Sequence, residues 1–237
     1  LHRWDFVSAY LQGELEEGED VFCLPPPGYE RKDEATGQQL VCRVIKPIYG
    51  MAQAGRRWQR SLFPWLKDFG LSQSEHDPCI FHMTQEVDTP KGKRTERLAI
   101  GCYVDDLFCA YSHADKYSIY HKFTTALKEW NVADEGPLND LLGVEFDFSD
   151  GHVHLRQTAY IEKLVARYMS APPIKTKHNK VPCYDELVQH VADALVSQDP
   201  PEAQLLHDYQ SLVGALLYCA TNSRPDIAYS VGMLCRA

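Results

Sequence analysis

The chain has 237 residues, 44% of them hydrophobic, and a formal net charge of -9. That is enough apolar material for one large domain or two small ones with a real core, and it excludes a disordered or fibrous chain. No run approaches the roughly 18 apolar residues of a membrane span, and LHRWDFVSAY lacks the basic-then-apolar order of a signal peptide, so a soluble intracellular protein without membrane contact is expected.

The opening WDFVSAYL reads as a strand that runs into the acidic connection QGELEEGED. VFCLPP is a second short strand, stopped by Pro25, Pro26 and Pro27 because proline cannot donate to a sheet ladder. After a turn-rich segment comes the strand LVCRVI. From Ala52 the residues Leu62, Trp65, Leu66 and Phe69 recur at helical spacing, predicting a glycine-hinged helix that ends at Gly70. CIFHM and RLAIGCYV are strands around TQEVDTPKGK, whose Pro-Lys-Gly invites a hairpin turn. LFCAYS pairs back on them. ADKYSIYHKFTTALKEW is an amphipathic helix, and DLLGVEFDFSDGHVHLRQ a hairpin turning at Asp150-Gly151. Beyond Thr158 the composition shifts, and YIEKLVARYM, DELVQHVADALV and LLHDYQSLVGALLYCAT read as helices. The expected fold is therefore α+β: an antiparallel sheet backed by helices over 1–158, then a mainly helical portion over 159–237.

The charge sum hides a pattern. Arg43 to Lys67 contains six basic residues and no acid, interleaved with Tyr49, Trp58, Phe63 and Trp65. Such a segment can track a phosphate backbone and stack on bases, and Arg56, Arg57 and Trp58 sit at its centre. His152 to Lys180 is also dominated by basic residues. Val181 to Gln210 holds six acids and neither Lys nor Arg. The eight cysteines form no CxxC pair, which fits reduced thiols buried in a core better than a disulfide frame or a zinc site. His76, Cys79 and His82 lack an evident fourth zinc ligand.

CYVDDLFCAY places Asp105 and Asp106 between two apolar runs, expected to be strands with both acids at the turn. Asp-Asp also occurs in ordinary turns. A third acid, Asp5, lies within the apolar WDFVSAYL, where burial without compensation would be costly. If that strand lies beside the hairpin, Asp5 and Asp105 can hold two metal ions roughly 4 Å apart, an arrangement suited to nucleotidyl transfer.

Six blocks, WDFVSAYLQGELEEGEDVFCLPPPGY, VIKPIYGMAQAGRRW, YVDD, LLGVEF, TAYIEKLVARYM and YQSLVGALLYCATNSRPDIAYSV, follow in the order and spacing of the reverse transcriptase of copia-type LTR retrotransposons. The resemblance runs from Trp4 to Cys235. It implies an RNA-directed DNA polymerase: partial fingers and palm over 1–158, and a thumb or connection portion over 159–237. Asp5, Asp105 and Asp106 resemble the catalytic, metal-binding aspartates for two Mg²⁺, with Mn²⁺ as a substitute. Tyr10 resembles the aromatic gate that excludes a ribose 2′-hydroxyl. Gln53 and Tyr103 are the other implied substrate contacts, and LLGVEF resembles the hairpin that grips the primer end. The implied partners are an RNA or DNA template-primer, deoxynucleoside triphosphates and the rest of a Pol polyprotein, in the cytoplasm (within a virus-like particle) or the nucleus.

The chain departs from the family at Ala52, where lysine is usual, at Gly55, where proline is usual, and at Gln210, where arginine is common. The family also carries a fingers segment before the first aspartate, and no counterpart precedes Asp5. A polymerase fragment is therefore the first expectation, and a catalytically inactive relic that keeps the palm fold and binds nucleic acid is the alternative. A metal-dependent nuclease or integrase core would need its third acid on a helix, where no candidate is found.

Overall fold

The computed structural model describes residues 1–169, 181–183, 185–196 and 202–236. The basic residues Lys175, Lys177 and Lys180 lie outside them. The chain divides into two compact units, Leu1–Leu138 and Asn139–Ala237.

The first unit is built on strands β1 (His2–Phe6), β4 (Ser72–Gln73), β5 (Ile80–Thr89), β6 (Gly92–Tyr103), β7 (Asp106–Tyr111) and β8 (Val132–Pro137). They form one antiparallel sheet in the order β4-β5-β6-β7-β1-β8, so the first strand lies between two that come much later. A separate ribbon pairs β2 (Phe22–Cys23) with β3 (Cys42–Arg43). Three helices complete the unit: α1 (Ala9–Gln12), α2 (Ala54–Asp68) and α3 (Ile119–Ala126).

Period-two alternation decides which sheet face is buried. Trp4 and Phe6 on β1, Leu98, Ile100 and Cys102 on β6, and Leu107 and Cys109 on β7 are all buried. Against this face α2 packs Ala54, Trp58, Leu62 and Leu66, a strict four-residue stripe. Phe123 of α3 enters the same core. Buried Glu96 ties helix to sheet: it accepts from Arg94 Nε at 2.7 Å and from the Ile119 backbone N–H, at the start of α3, at 2.7 Å. A carboxylate suits a helix N-terminus, whose amide groups point outward unpaired.

Several boundaries differ from the sequence reading. The first strand stops at Phe6, because Ser8 takes a left-handed conformation (φ 52°) and the chain turns into α1, so Tyr10 stands on a helix. The polar TQEVDTPKGK does not separate two short strands; it extends both, with the turn at Pro90–Lys91 where the Pro-Lys-Gly signal fell. Helix α3 begins at Ile119 rather than near Ala114, since Asp115 first builds a turn by accepting the Tyr117 N–H at 2.9 Å and Ser118 then caps the helix by accepting from His121 N–H. In α2, Gly55 lies in the first turn and hinges nothing. Cys102, Cys109 and Cys219 are buried as expected of core thiols, but Cys23, Cys42 and Cys235 are exposed.

The second unit carries β9 (Asp140–Leu141), β10 (Val144–Ser149) and β11 (His152–Arg156), with helices α4 (Thr158–Tyr168), α5 (Asp185–Val196), α6 (Ala203–Asn222) and α7 (Ala228–Leu234). The composition shift at Thr158 thus marks the start of α4, whereas the division between compact units comes earlier, at Leu138–Asn139, because β9 to β11 pair only with one another. The hairpin tip Leu142–Gly143 (φ 53° and 80°) and the predicted one at Asp150–Gly151 (φ 53° and 74°) both carry paired left-handed residues. That is the twist a two-residue hairpin turn requires. The Tyr218 hydroxyl donates to the Leu142 carbonyl and fastens the first of them.

Candidate active site

β1, β6 and β7 bring the predicted acids together. Asp5 lies directly opposite Asp106 across the β1–β7 ladder, and Asp106 lies opposite Tyr103 across β6–β7. Residues paired in this way point to the same face of a sheet. Tyr103, Asp106 and Asp5 therefore form a row across three strands, on the face away from the Trp4–Leu107 core. Asp105 belongs to the turn beside them, and its carbonyl accepts the Phe6 N–H at 2.8 Å. The turn residues are Val104 and Asp105. Asp106 is already the first residue of β7, not a member of the turn as the sequence suggested.

Electrostatics separates the three acids. The Asp5 carboxyl is raised above its ordinary value, first by partial burial and then by repulsion from Asp105 and Asp106, while Arg3 opposes the shift. Asp106 is held by Arg3, whose Nε donates to Oδ1 at 2.9 Å and whose Nη2 lies 2.8 Å from the same oxygen. Arg3 and Asp5 are two apart on one strand and so share a face. That spacing was readable in the sequence, but the role was missed. Among the described residues no three His, Cys, Asp or Glu side chains gather as a metal cluster. With Asp106 turned to Arg3, the carboxylates left to hold a cation are Asp5 and Asp105. This donor set fits a hard cation such as Mg²⁺, which takes one or two carboxylates and completes its shell with water and substrate phosphate.

The turn itself is strained and braced. Val104 has φ 56°, a region that β-branched residues avoid. Its carbonyl accepts from Trp58 Nε1 at 2.6 Å, so a buried side chain of α2 grips the turn from below. Val104→Gly is expected to relieve the backbone strain and raise stability by about 1 kcal/mol, net of the extra freedom glycine has when unfolded. A higher urea midpoint with an unchanged slope would register it. Nearby, Gly101 leaves room for the Phe108 ring across the ladder; a Cβ there would come within 2.1 Å of it. Gly101→Ala is expected to cost about 1–3 kcal/mol by forcing the ring aside, read as a lower midpoint in the same titration.

The remaining predicted residues divide. The Tyr10 ring packs on Tyr49 with centroids 4.5 Å apart. Tyr49, read in the sequence as one of the aromatics of the basic stripe, has its hydroxyl raised by burial and then by Asp105, which puts it beside the acids. Gln53 Nε2 donates to Glu19 at 2.8 Å. Arg57 pairs with Glu19 at 2.9 Å and with Glu16, which also takes Arg60. The acidic connection after α1 thus neutralises much of the basic stripe, and of Arg56 and Arg57 only Arg56 is exposed. Trp58 is 2% exposed, so it cannot stack on a base; the sequence reading is corrected here, because the indole fills the space under the sheet.

The first unit thus presents an acid-bearing antiparallel sheet, backed on its opposite face by helices, with a strained turn at Val104–Asp105. Residues 1–175 match the family described as reverse transcriptase (RNA-dependent DNA polymerase), and the chain belongs to that family. It is 27% identical over its whole length to the retrovirus-related Pol polyprotein from transposon TNT 1-94 of Nicotiana tabacum. Over 99% of its length it is 30% identical to those from transposons RE1 and RE2 of Arabidopsis thaliana. It spans only 17% of the first of these and 14% of the other two. No solved structure matches the chain.

Proposed function

We propose that the chain is the palm-containing part of a copia-type retrotransposon reverse transcriptase, transferring a deoxynucleotide from its triphosphate to a primer 3′-hydroxyl on an RNA or DNA template, within a larger Pol polyprotein. The observation that carries this reading is the register that sets Asp5 opposite Asp106, with Asp105 in the adjoining turn. Asp5 and Asp105 would hold Mg²⁺, or Mn²⁺ in its place, which when bound supplies positive charge to the α-phosphate and makes the primer hydroxyl easier to deprotonate.

The chain's own residues do the positioning. Arg3 neutralises Asp106 and keeps it as a support. Tyr10, backed by Tyr49, stands where a nucleotide sugar reaching the acids would pass, and is the gate against a 2′-hydroxyl. Tyr103, 52% exposed beside Asp106, offers a face to the primer end or the incoming base. Arg56, exposed on α2, is the phosphate contact of the stripe. The palm runs to about Thr158 and carries the LLGVEF hairpin that grips the primer end, and the helices from α4 onward are the thumb or connection portion. No helix of the described residues is long and apolar enough to cross a membrane.

The test is primer extension by purified protein on an RNA template. Elongation that needs a divalent cation and stops on chelation is expected. A protein that folds and binds template-primer but never extends it, even within a longer Pol segment, is the relic and not the polymerase.

A further inference from the structure

The ribbon of β2 and β3 is only two strands wide, and such a ribbon is marginal on its own in water. Its register sets Cys23 directly opposite Cys42, next to the Phe22–Arg43 pair. The Val44 N–H donates to the Val21 carbonyl at 2.8 Å. Pairs alternate along an antiparallel ladder, so Val21–Val44 and Cys23–Cys42 are hydrogen-bonded pairs and Phe22–Arg43 lies between them. Opposed residues project from the same face, and a hydrogen-bonded pair holds its Cα atoms about 5.5 Å apart. That is within the commonest Cα separation of a disulfide, about 5.5–6 Å.

Both cysteines are free and exposed. The chain's buried cysteines are different: burial pushes the Cys109 thiol up to about 12 and raises that of Cys102 as well, which leaves little thiolate to react. The ribbon also sits at a junction. Asp20, just before β2, pairs with Arg43 of β3 at 2.8 Å, and the adjacent Glu19 holds Gln53 and Arg57.

We propose that Cys23 and Cys42 are a redox couple that closes to a cross-strand disulfide when the protein meets a disulfide oxidant such as oxidised glutathione. The thiolate of one cysteine attacks a glutathione sulfur, breaking the glutathione S–S bond and releasing one reduced glutathione. The second thiolate then attacks the resulting mixed disulfide at the protein sulfur and releases the other. The pair gives up two electrons and two protons, and the oxidant becomes two thiols. Exposed disulfides of this kind belong to the reversible, regulatory class. Closure staples the ribbon, and with it the acidic clamp that Asp20 and Glu19 hold over β3 and α2. The inference rests on the ribbon's register alone, not on polymerase activity.

The full chain would be equilibrated in glutathione buffers from reducing to oxidising, its free thiols alkylated, and the protein digested with trypsin without reduction. Arg31 and Lys32 lie between the two cysteines, so cleavage there separates them. The expected product is a pair of peptides joined through Cys23 and Cys42, two hydrogens lighter than their sum and absent from Cys23→Ser and Cys42→Ser. Each single variant should instead carry one glutathione on its remaining ribbon cysteine. Glutathione on both cysteines of the unaltered chain, both fully alkylated under oxidising conditions, or either joined to another cysteine, would overturn the proposal.

Discussion

Asp5→Asn is expected to lower Mg²⁺-dependent primer extension by at least 10²–10³-fold, the cost of deleting one fixed charge that acts on a transition state, and at the same time to make the protein more stable at neutral pH. The two effects share one cause. Asp5 faces Asp106 directly and has Asp105 beside it, so its charge is crowded, and its carboxyl sits above its ordinary value of 3.8. A raised folded-state value means that the folded protein binds this proton more tightly than the unfolded chain does. Stability from Asp5 therefore falls as pH rises from the ordinary carboxylate value through the raised one, and stays reduced above it. Asparagine removes that loss, for a gain of about 0.2–1 kcal/mol, the usual size of a like-charge penalty across a ladder. Denaturation at pH 4 and pH 7 would separate the variants: the gain should appear at pH 7 and shrink toward pH 4. Added Mg²⁺ should stabilise the unaltered protein and leave Asp5→Asn nearly unmoved. A variant that loses stability, or keeps extending primers, would remove Asp5 from the site.

That these acids need a polar outlet was legible because it follows from local rules, whereas the pairing of β1 with β7 entered only as a condition and Asp106 was expected at the turn. An uncompensated aspartate in an apolar strand and an Asp-Asp pair between apolar runs each need a polar outlet, and one sheet face supplies it for both. Hairpins at Pro90–Lys91 and Asp150–Gly151 were equally readable, since turn residues act on their own neighbours. What escaped depends on partners distant along the chain. Arg57 looked like a phosphate contact within a basic stripe, yet Glu16 and Glu19, about 40 residues earlier, meet it in the fold. Trp58 looked like a stacking platform because an aromatic among arginines has that composition; only the stripe Ala54, Trp58, Leu62 and Leu66 indicates that it faces inward. A helix as short as α1 leaves no periodicity to read, so Tyr10 was assigned to a strand. Register between short strands is likewise invisible in sequence, and so was the opposition of Cys23 and Cys42.

Trp58→Ala is expected to cost about 3–5 kcal/mol, the range for removing a buried aromatic side chain, and to lower the melting temperature by roughly 6–20 °C. The indole makes edge contacts with Phe6, centroids 4.8 Å apart, and with Trp130, 5.3 Å apart, so its loss opens a cavity beneath β1. Trp58→Phe separates packing from bracing. Phenylalanine keeps most of the apolar volume but cannot donate to the Val104 carbonyl, and the loss in stability should shrink to about 1–2 kcal/mol. Primer extension should respond in a different order. Val104 is strained, and Trp58 Nε1 is the side-chain donor that holds its carbonyl at 2.6 Å, so without it the turn can relax and carry Asp105 away from Asp5. Measured per folded molecule, Trp58→Phe should then lose more extension than its small loss in stability explains, and Val104→Gly should lose extension while gaining stability. If Trp58→Phe extends normally once corrected for folded fraction, the indole serves only to fill the core, and the turn keeps its shape without it.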